Sequence, residues 1–342
     1  MEFLAARHGR RHCRAVNAIA RTFLCTVLLL APLVAGQAAA NPMRWAAEWP
    51  NTDFSKAAVN LKEIISGGPP KDGIPSIDDP KFVPVAAEKE IADSEPVIGL
   101  VIGGQARAYP LRILTWHEIV NDEIAGVPVT VTYCPLCNSA IAFDRRVDGR
   151  VLDFGTTGKL RHSDMVMYDR QTESWWQQFL GEGIVGAMTG KRLKTIPARL
   201  ESFADFKKRA PAGQVLVPNH GSMRPYGHNP YRGYDSSPYP FLFAGDLPKG
   251  IEPMVRVVVV DGEAWSLPLL RDKGRIAKGD LVLSWQPGQA SALDADRIRD
   301  GRDVGNVVVQ RVKDGRTTDV VYDVTFAFVY NAFYPGRDIH KN

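Results

Sequence analysis

The chain has 342 residues, and its formal charge of +4 arises from 42 Lys and Arg against 38 Asp and Glu. Residues 1–40 hold Arg7, Arg10, Arg11, Arg14, Arg21 and Glu2, which account for that whole excess, so the rest of the chain is neutral. A neutral chain argues against a nucleic-acid partner, which calls for a lasting basic face, while about 300 residues can bury a large core without disulfide support.

The first 40 residues run from a basic stretch ending at Arg21, through an apolar stretch at 22–36, to the small-residue tail Gln37-Ala38-Ala39-Ala40. This is the order of a cleavable secretory signal, and the apolar stretch is shorter than the roughly 20 residues that cross a bilayer. The expectation is a periplasmic or secreted protein with no membrane attachment after cleavage. Arg10-Arg11 stand too far from the apolar stretch for a twin-arginine signal, and Leu24 before Cys25 fits a lipoprotein signal poorly. Cys13 and Cys25 depart with the signal, leaving Cys134 and Cys137 as one C-x-x-C in an oxidising compartment.

Residues 41–94 are rich in Pro, Gly and charge, and the turn-dense 67–75 segment cannot form regular helix. They read as an ordered arm that buries Ile64, Ile65, Ile74, Ile77, Phe82 and Val83. From 95 to 342 the chain reads as a single β-rich domain. Val97 to Ile102, the Gly103-Gly104 turn and Gln105 to Tyr109 form a hairpin signature. Residues 111–121 have approximately helical spacing, with Gly126 expected to close that helix. Residues 127–133 and 139–143 alternate as strands on either side of the cysteines.

The same order returns at 252–294: Val255 to Val260, the Asp261-Gly262 turn, Glu263 to Leu269, a strand at 280–285 and another expected at 290–293. Segments 95–144 and 252–294 thus form an internal repeat whose second copy has no cysteine. The expected fold class is α+β, predominantly antiparallel β, with two related hairpin, helix and strand halves sharing a core. Between the copies lie a hairpin-like region at 151–170, a Trp-rich stretch at 172–179, a helix at 202–209 and an aromatic loop at 219–239. In that loop His220 and His228 flank Arg224 and Tyr226, suggesting a substrate lip, a second metal site or an Ω-loop packing its own aromatics. Residues 319–330 read as strand.

Three segments carry a family resemblance: GGPPKDGIPSIDDPKF at 67–82, TWHEIVND at 115–122 and VTYCPLCNSAIAFDR at 131–145. Together with DMVMYDRQTESWWQQ at 164–178, they resemble the bacterial and archaeal family called domain of unknown function 3179. The resemblance implies no activity.

The C-x-x-C supports several readings. A thioredoxin-type redox pair sits at the start of a long helix, whereas here strand-like residues follow, so thiol-disulfide chemistry would need another scaffold. A structural disulfide is inefficient at this loop length, at roughly 2 kcal/mol against about 5 for a loop near 100 residues. A metal knuckle would aim both thiolates at one ion, completed by His117 or His162, with Met165 and Met167 in the same loop as His162. Such donors suit copper or zinc. A cysteine nucleophile with His117 as base is weakened by the second thiol, which would close a disulfide on it. Phosphate loops, serine elbows and an H-E-x-x-H helix do not occur. The sequence therefore favours an exported soft-metal protein using Cys134, Cys137 and His117 or His162; the alternatives are a thiol-disulfide oxidoreductase and an interaction module with a structural disulfide. It names no substrate or protein partner.

Overall fold

A computed structural model describes residues 42–219 and 224–341. The expected signal at 1–40 and His220 lie outside them. The described residues form one compact unit. Among the described residues no helix is long and apolar enough to cross a membrane.

The fold is β-rich, with mostly antiparallel sheets and few helices. Each of the α-helices among the described residues is seven residues long. Such short helices gain little stability on their own, so the sheets carry the architecture. Among the described residues there are five sheets of four or five strands and one two-stranded ribbon, a set that resembles a five-bladed propeller. Among the described residues only two strand pairings are parallel, Gln214–Val217 on Gln105–Pro110 and Ile339–His340 on Glu263–Ser266.

Two stretches of chain share their order and pairing. In the first, the hairpin Pro96–Ile102 and Gln105–Pro110 leads through helix Leu111–His117 to strands Ile119–Ile124, Val127–Cys134 and Ser139–Asp144. In the second, Arg256–Val260 and Glu263–Ser266 lead through helix Leu267–Lys273 to Arg275–Lys278, Leu281–Gln286 and Asn306–Lys313. Each hairpin takes an antiparallel neighbour on its first strand, Arg199–Ser202 or Asp323–Phe326, and a parallel neighbour on its second. The fifth sheet, built from Ile64–Ser66, Phe154–Arg161, Asp164–Asp169, Trp175–Gln177 and Glu182–Val185, belongs to neither stretch. An α+β fold of two halves therefore leaves out one whole sheet.

Several expected elements are corrected. The helix at 111–121 stops at His117 because Glu118 adopts a left-handed backbone, φ 57° and ψ −32°, and Ile119–Ile124 continues as strand. Residues 290–293 form no strand; Ala290 makes one bridge to Asp303, and the strand completing the second stretch begins at Asn306. Strand character at 319–330 is limited to Asp319, the last residue of strand Arg316–Asp319, and to Asp323–Phe326, after which Ala327–Phe333 is helical with Phe328, Val329 and Tyr330 buried. Successive apolar residues fit a buried short helix as well as a strand, so alternation alone could not separate them.

The arm is part of the sheets. Ile64–Ser66 pairs with Phe154–Arg161, and Lys81–Pro84 pairs with Gln214–Val217. Ile64 and Ile77 are buried, while Ile65, Ile74, Phe82 and Val83 are half-buried. The strand Arg256–Val260 is buried along its whole length, the pattern of a strand covered on both faces. One hydrophobic cluster includes Cys134, Leu136, Cys137, Met165, Met167, Trp176, Phe326 and Phe328, which places the cysteines inside the core.

Candidate metal centre

Strands Val127–Cys134 and Ser139–Asp144 pair antiparallel with Cys134 opposite Ser139, so residues 135–138 form the connecting turn. Pro135 cannot donate to a ladder, and Asn138 takes φ 52°, a left-handed conformation that Asn tolerates. The turn is closed by Cys137 N donating to Cys134 O at 3.2 Å and Asn138 N donating to Pro135 O at 3.1 Å. From the far end of the sequence, Thr325 donates its hydroxyl to Cys137 O at 2.7 Å, Phe326 N donates to the same carbonyl at 3.2 Å, and Asn138 Nδ2 donates to Val324 O at 2.8 Å.

A second turn meets the first. His162 and Ser163 both have positive φ, 53° and 63°, between antiparallel strands Phe154–Arg161 and Asp164–Asp169. The Cys134 thiol points at Ser163 O, 3.7 Å away. The next residue, Asp164, enters the core. Its Oδ2 accepts from Gln177 Nε2 at 2.6 Å and from Phe179 N at 2.9 Å, while its buried Oδ1 meets no nitrogen or hydroxyl donor.

Cys134, Cys137 and Asp164 bring one ligand atom each to within 4.8 Å of one another, and all three are buried. Both cysteines are free thiols. Neither His117 nor His162 belongs to this group. His117 Nδ1 lies 2.8 Å from Pro75 O and Nε2 lies 2.7 Å from Tyr226 Oη, with the two rings stacked. His162 Nε2 lies 3.5 Å from Glu63 Oε2, and its ring packs against Phe333 and Phe243. Positive φ on two successive residues turns the chain sharply, so that Asp164, two positions on, stands where His162 was expected.

The sequence reading missed Asp164 and Glu118. Nothing in the sequence marked Asp164 beyond its place in the His162 loop. Glu118 escaped because it was taken as a mid-helix residue, and the left-handed turn at the helix end redirects it. A cavity of about 110 Å³ is lined by Glu118, Cys134, Thr156, Lys159, Met165 and Tyr231 among others.

Burial dominates the electrostatics. It pushes the Asp164 carboxyl up to about 7, opposed by the hydrogen bonds from Phe179 N, the Gln177 amide and the Cys137 thiol. Burial, reinforced by the Asp164 charge, pushes Glu118 up to about 8. Both thiols are raised, chiefly by burial, with Asp164 acting in the same direction on each. Lys159, the amine lining the cavity, is committed to Glu48 Oε2 at 3.1 Å and Thr157 O at 3.4 Å.

Residues 71–337 match the family described as protein of unknown function (DUF3179). The chain belongs to this family. The DUF3179 match spans the cysteine turn, Asp164, Glu118 and the strand that holds Cys137, so the whole cluster lies within the family's segment. Neither curated proteins nor solved structures give a match.

The other histidines lie in separate surroundings. His228 Nδ1 is 3.3 Å from Asp296 Oδ2, and His340 stacks on Trp265 beside Glu263. Tyr234 ties the aromatic loop to the cysteine turn by donating to Leu136 O at 3.0 Å.

Proposed function

We propose that this DUF3179 protein binds a soft or borderline metal ion at Cys134, Cys137 and Asp164. The observation that carries the reading is the convergence of two buried thiols on the buried Asp164 carboxylate, whose Oδ1 meets no nitrogen or hydroxyl donor and has only the weak Cys137 thiol beside it, with all three donors within 4.8 Å of one another. A buried polar atom without a partner costs on the order of 1–3 kcal/mol. A cation bound there would satisfy that oxygen and take up both sulfurs as thiolates, releasing their protons. Two sulfurs with a carboxylate oxygen favour zinc over copper(I), because the oxygen is a poor donor to the softer ion.

A thiol-disulfide oxidoreductase using the same pair is the second reading, supported by both cysteines being free and by Cys134 lining a cavity. It ranks lower because reactive thiols sit in electropositive, partly exposed surroundings, whereas Asp164 and Glu118 both push the Cys134 thiol upward. An interaction module with a structural disulfide ranks third.

The test is the metal content of protein purified without affinity-tag metals and under mild reduction, measured by plasma mass spectrometry. Zinc or copper near one per chain, lost in a C134S/C137S variant, supports the centre. Protein that holds no metal and takes up neither Zn(II) nor Cu(I) overturns it.

We also read residues 1–40 as a cleaved export signal, so that the protein works in the periplasm or outside the cell. N-terminal sequencing of protein from the native compartment tests this. The two stretches of shared strand order we read as related halves of one duplicated unit, supported by their matching parallel and antiparallel neighbours.

A further inference from the structure

Structural zinc sites take four protein ligands, whereas sites that act on a ligand keep three and leave a position open. Among the described residues the group at the cysteine turn has three, Cys134, Cys137 and Asp164. Of these, Cys134 lines the adjoining cavity and the other two do not. The cavity's volume of about 110 Å³ has room for roughly three or four waters at their liquid volume.

Glu118 is the second observation. Its backbone is held left-handed by two hydrogen bonds: its N donates to Leu114 O at 2.7 Å, and its O accepts from Tyr133 N at 2.8 Å. A non-glycine residue in that conformation costs roughly 1–2 kcal/mol. The strain turns the side chain inward, where Glu118 is 8% exposed and lines the same cavity as Cys134. Its carboxylate accepts no hydrogen bond from any described residue. A strained backbone that delivers an unpaired carboxylate into a cavity is an arrangement that a bound ligand would complete.

Phe241 and Leu242 also line this cavity. Ser163 Oγ donates to Phe241 O at 2.7 Å, and Phe241 N donates to Tyr234 Oη at 3.3 Å, so this part of the lining is fastened to both turns that carry the metal donors. Mostly apolar walls with one carboxylate, the Lys159 amine beside it being held by Glu48, suit a small ligand that has a metal-binding oxygen and one protic group.

We infer that the metal ion keeps one coordination position open to this cavity, that a small protic oxygen ligand occupies it, and that Glu118 accepts the ligand's hydrogen bond. This rests on the metal reading above and extends it from a storage or structural ion to one that engages a ligand. Metal-bound water is the simplest such ligand.

The experiment uses the full mature chain loaded with Co(II), whose absorption reports both thiolate ligation and changes in coordination. Two probes are titrated: acetohydroxamate, which has an oxygen donor and a protic group, and azide, which has no proton to offer Glu118. The expected result is a cobalt-thiolate band on loading, with ligand-field bands that shift with either probe. Measured above pH 8, where Glu118 is ionised, Glu118→Gln should weaken acetohydroxamate about tenfold, the equivalent of one charge-assisted hydrogen bond, and leave azide unchanged. Wild-type protein with a full thiolate band whose ligand-field bands respond to neither probe would overturn the open position. An equal response of wild type and Glu118→Gln to acetohydroxamate would overturn the role of Glu118. Absence of the thiolate band is a separate result, which removes the metal reading itself and this inference with it.

Discussion

Thr325 donates its hydroxyl to the carbonyl of Cys137 at 2.7 Å, across 188 positions of sequence. With Phe326 N on the same carbonyl and Asn138 reaching Val324 O, the strand Asp323–Phe326 holds the cysteine turn from outside its own hairpin. The geometry of the two thiols therefore depends on the C-terminal stretch. Thr325→Val keeps the shape and removes the donor, while Phe326 N still satisfies the carbonyl. It is expected to cost about 1 kcal/mol in urea unfolding and to weaken metal binding measurably. Unchanged metal affinity would show that the turn holds itself.

The histidines and Asp164 separate cleanly by metal content. His117→Ala and His162→Ala should each retain the full metal complement, since their rings contact Pro75, Tyr226, Glu63 and Phe333. Asp164→Asn should bind metal at least tenfold more weakly, because an amide oxygen carries no charge to offset the ion's. A histidine variant that loses metal while Asp164→Asn keeps it would replace the donor set.

Metal-free protein should become less stable as pH rises. Asp164 titrates near 7 in the folded chain against an ordinary 3.8, and Glu118 near 8 against 4.5. Both groups are raised, so the folded chain retains protons that the unfolded chain has released. The contribution of these two groups is full below about pH 4 and is lost as pH rises to about 8. Cys134, Tyr231 and Lys159 face Glu118 in the cavity, and of these Lys159 is held by Glu48. Urea midpoints across this range should drop in chelator-treated wild type and drop less in an Asp164→Asn/Glu118→Gln double variant, in which Asp323, raised to about 6 by burial, still titrates. Added Zn(II) should restore the midpoint at the alkaline end.

Gly158 supports the cavity from the arm side. A Cβ there would meet Pro69 O at 1.9 Å, and φ is 68°, so both the contact and the backbone conformation forbid a side chain. Gly158→Ala is expected to cost roughly 2 kcal/mol or more and to speed proteolysis within the turn-dense 67–75 segment. An unaltered melting temperature would mean that the arm yields without loss.

Asp235 anchors the aromatic loop. Its side chain is fully buried between Arg256 and Arg302 and also accepts from Ser291 Oγ. Asp235→Ala leaves Arg256 buried and unpaired, an imbalance worth about 3–5 kcal/mol. Arg302→Ala removes a half-exposed partner and should cost about 1 kcal/mol or less. Urea unfolding of both variants checks the order; equal losses would contradict it.

Much of the strand content followed from local pattern. Val97 to Tyr109 and Val255 to Ser266 announce hairpins through β-branched residues around glycine turns, and each folds as one. Pro135 between two alternating segments marks the cysteine turn in the same way. Local pattern failed where a single dihedral decided the outcome. Glu118 ends a helix that spacing would have continued, and the next residues pass into strand because their partners in Val127–Cys134 are already in register.

The sequence by itself determined the family, the β-rich character and the two cysteines, because these rest on residue type and short-range spacing. Only the tertiary structure decided what stands beside those cysteines. His117 and His162 were the natural partners by chemistry, yet one caps a contact with Tyr226 and the other turns toward Glu63. Asp164 and Glu118 reach the site through left-handed turns at 118 and 162–163. A change of one residue in such a turn swings the side chain to another face, and which face meets the thiols depends on how sheets distant in sequence pack.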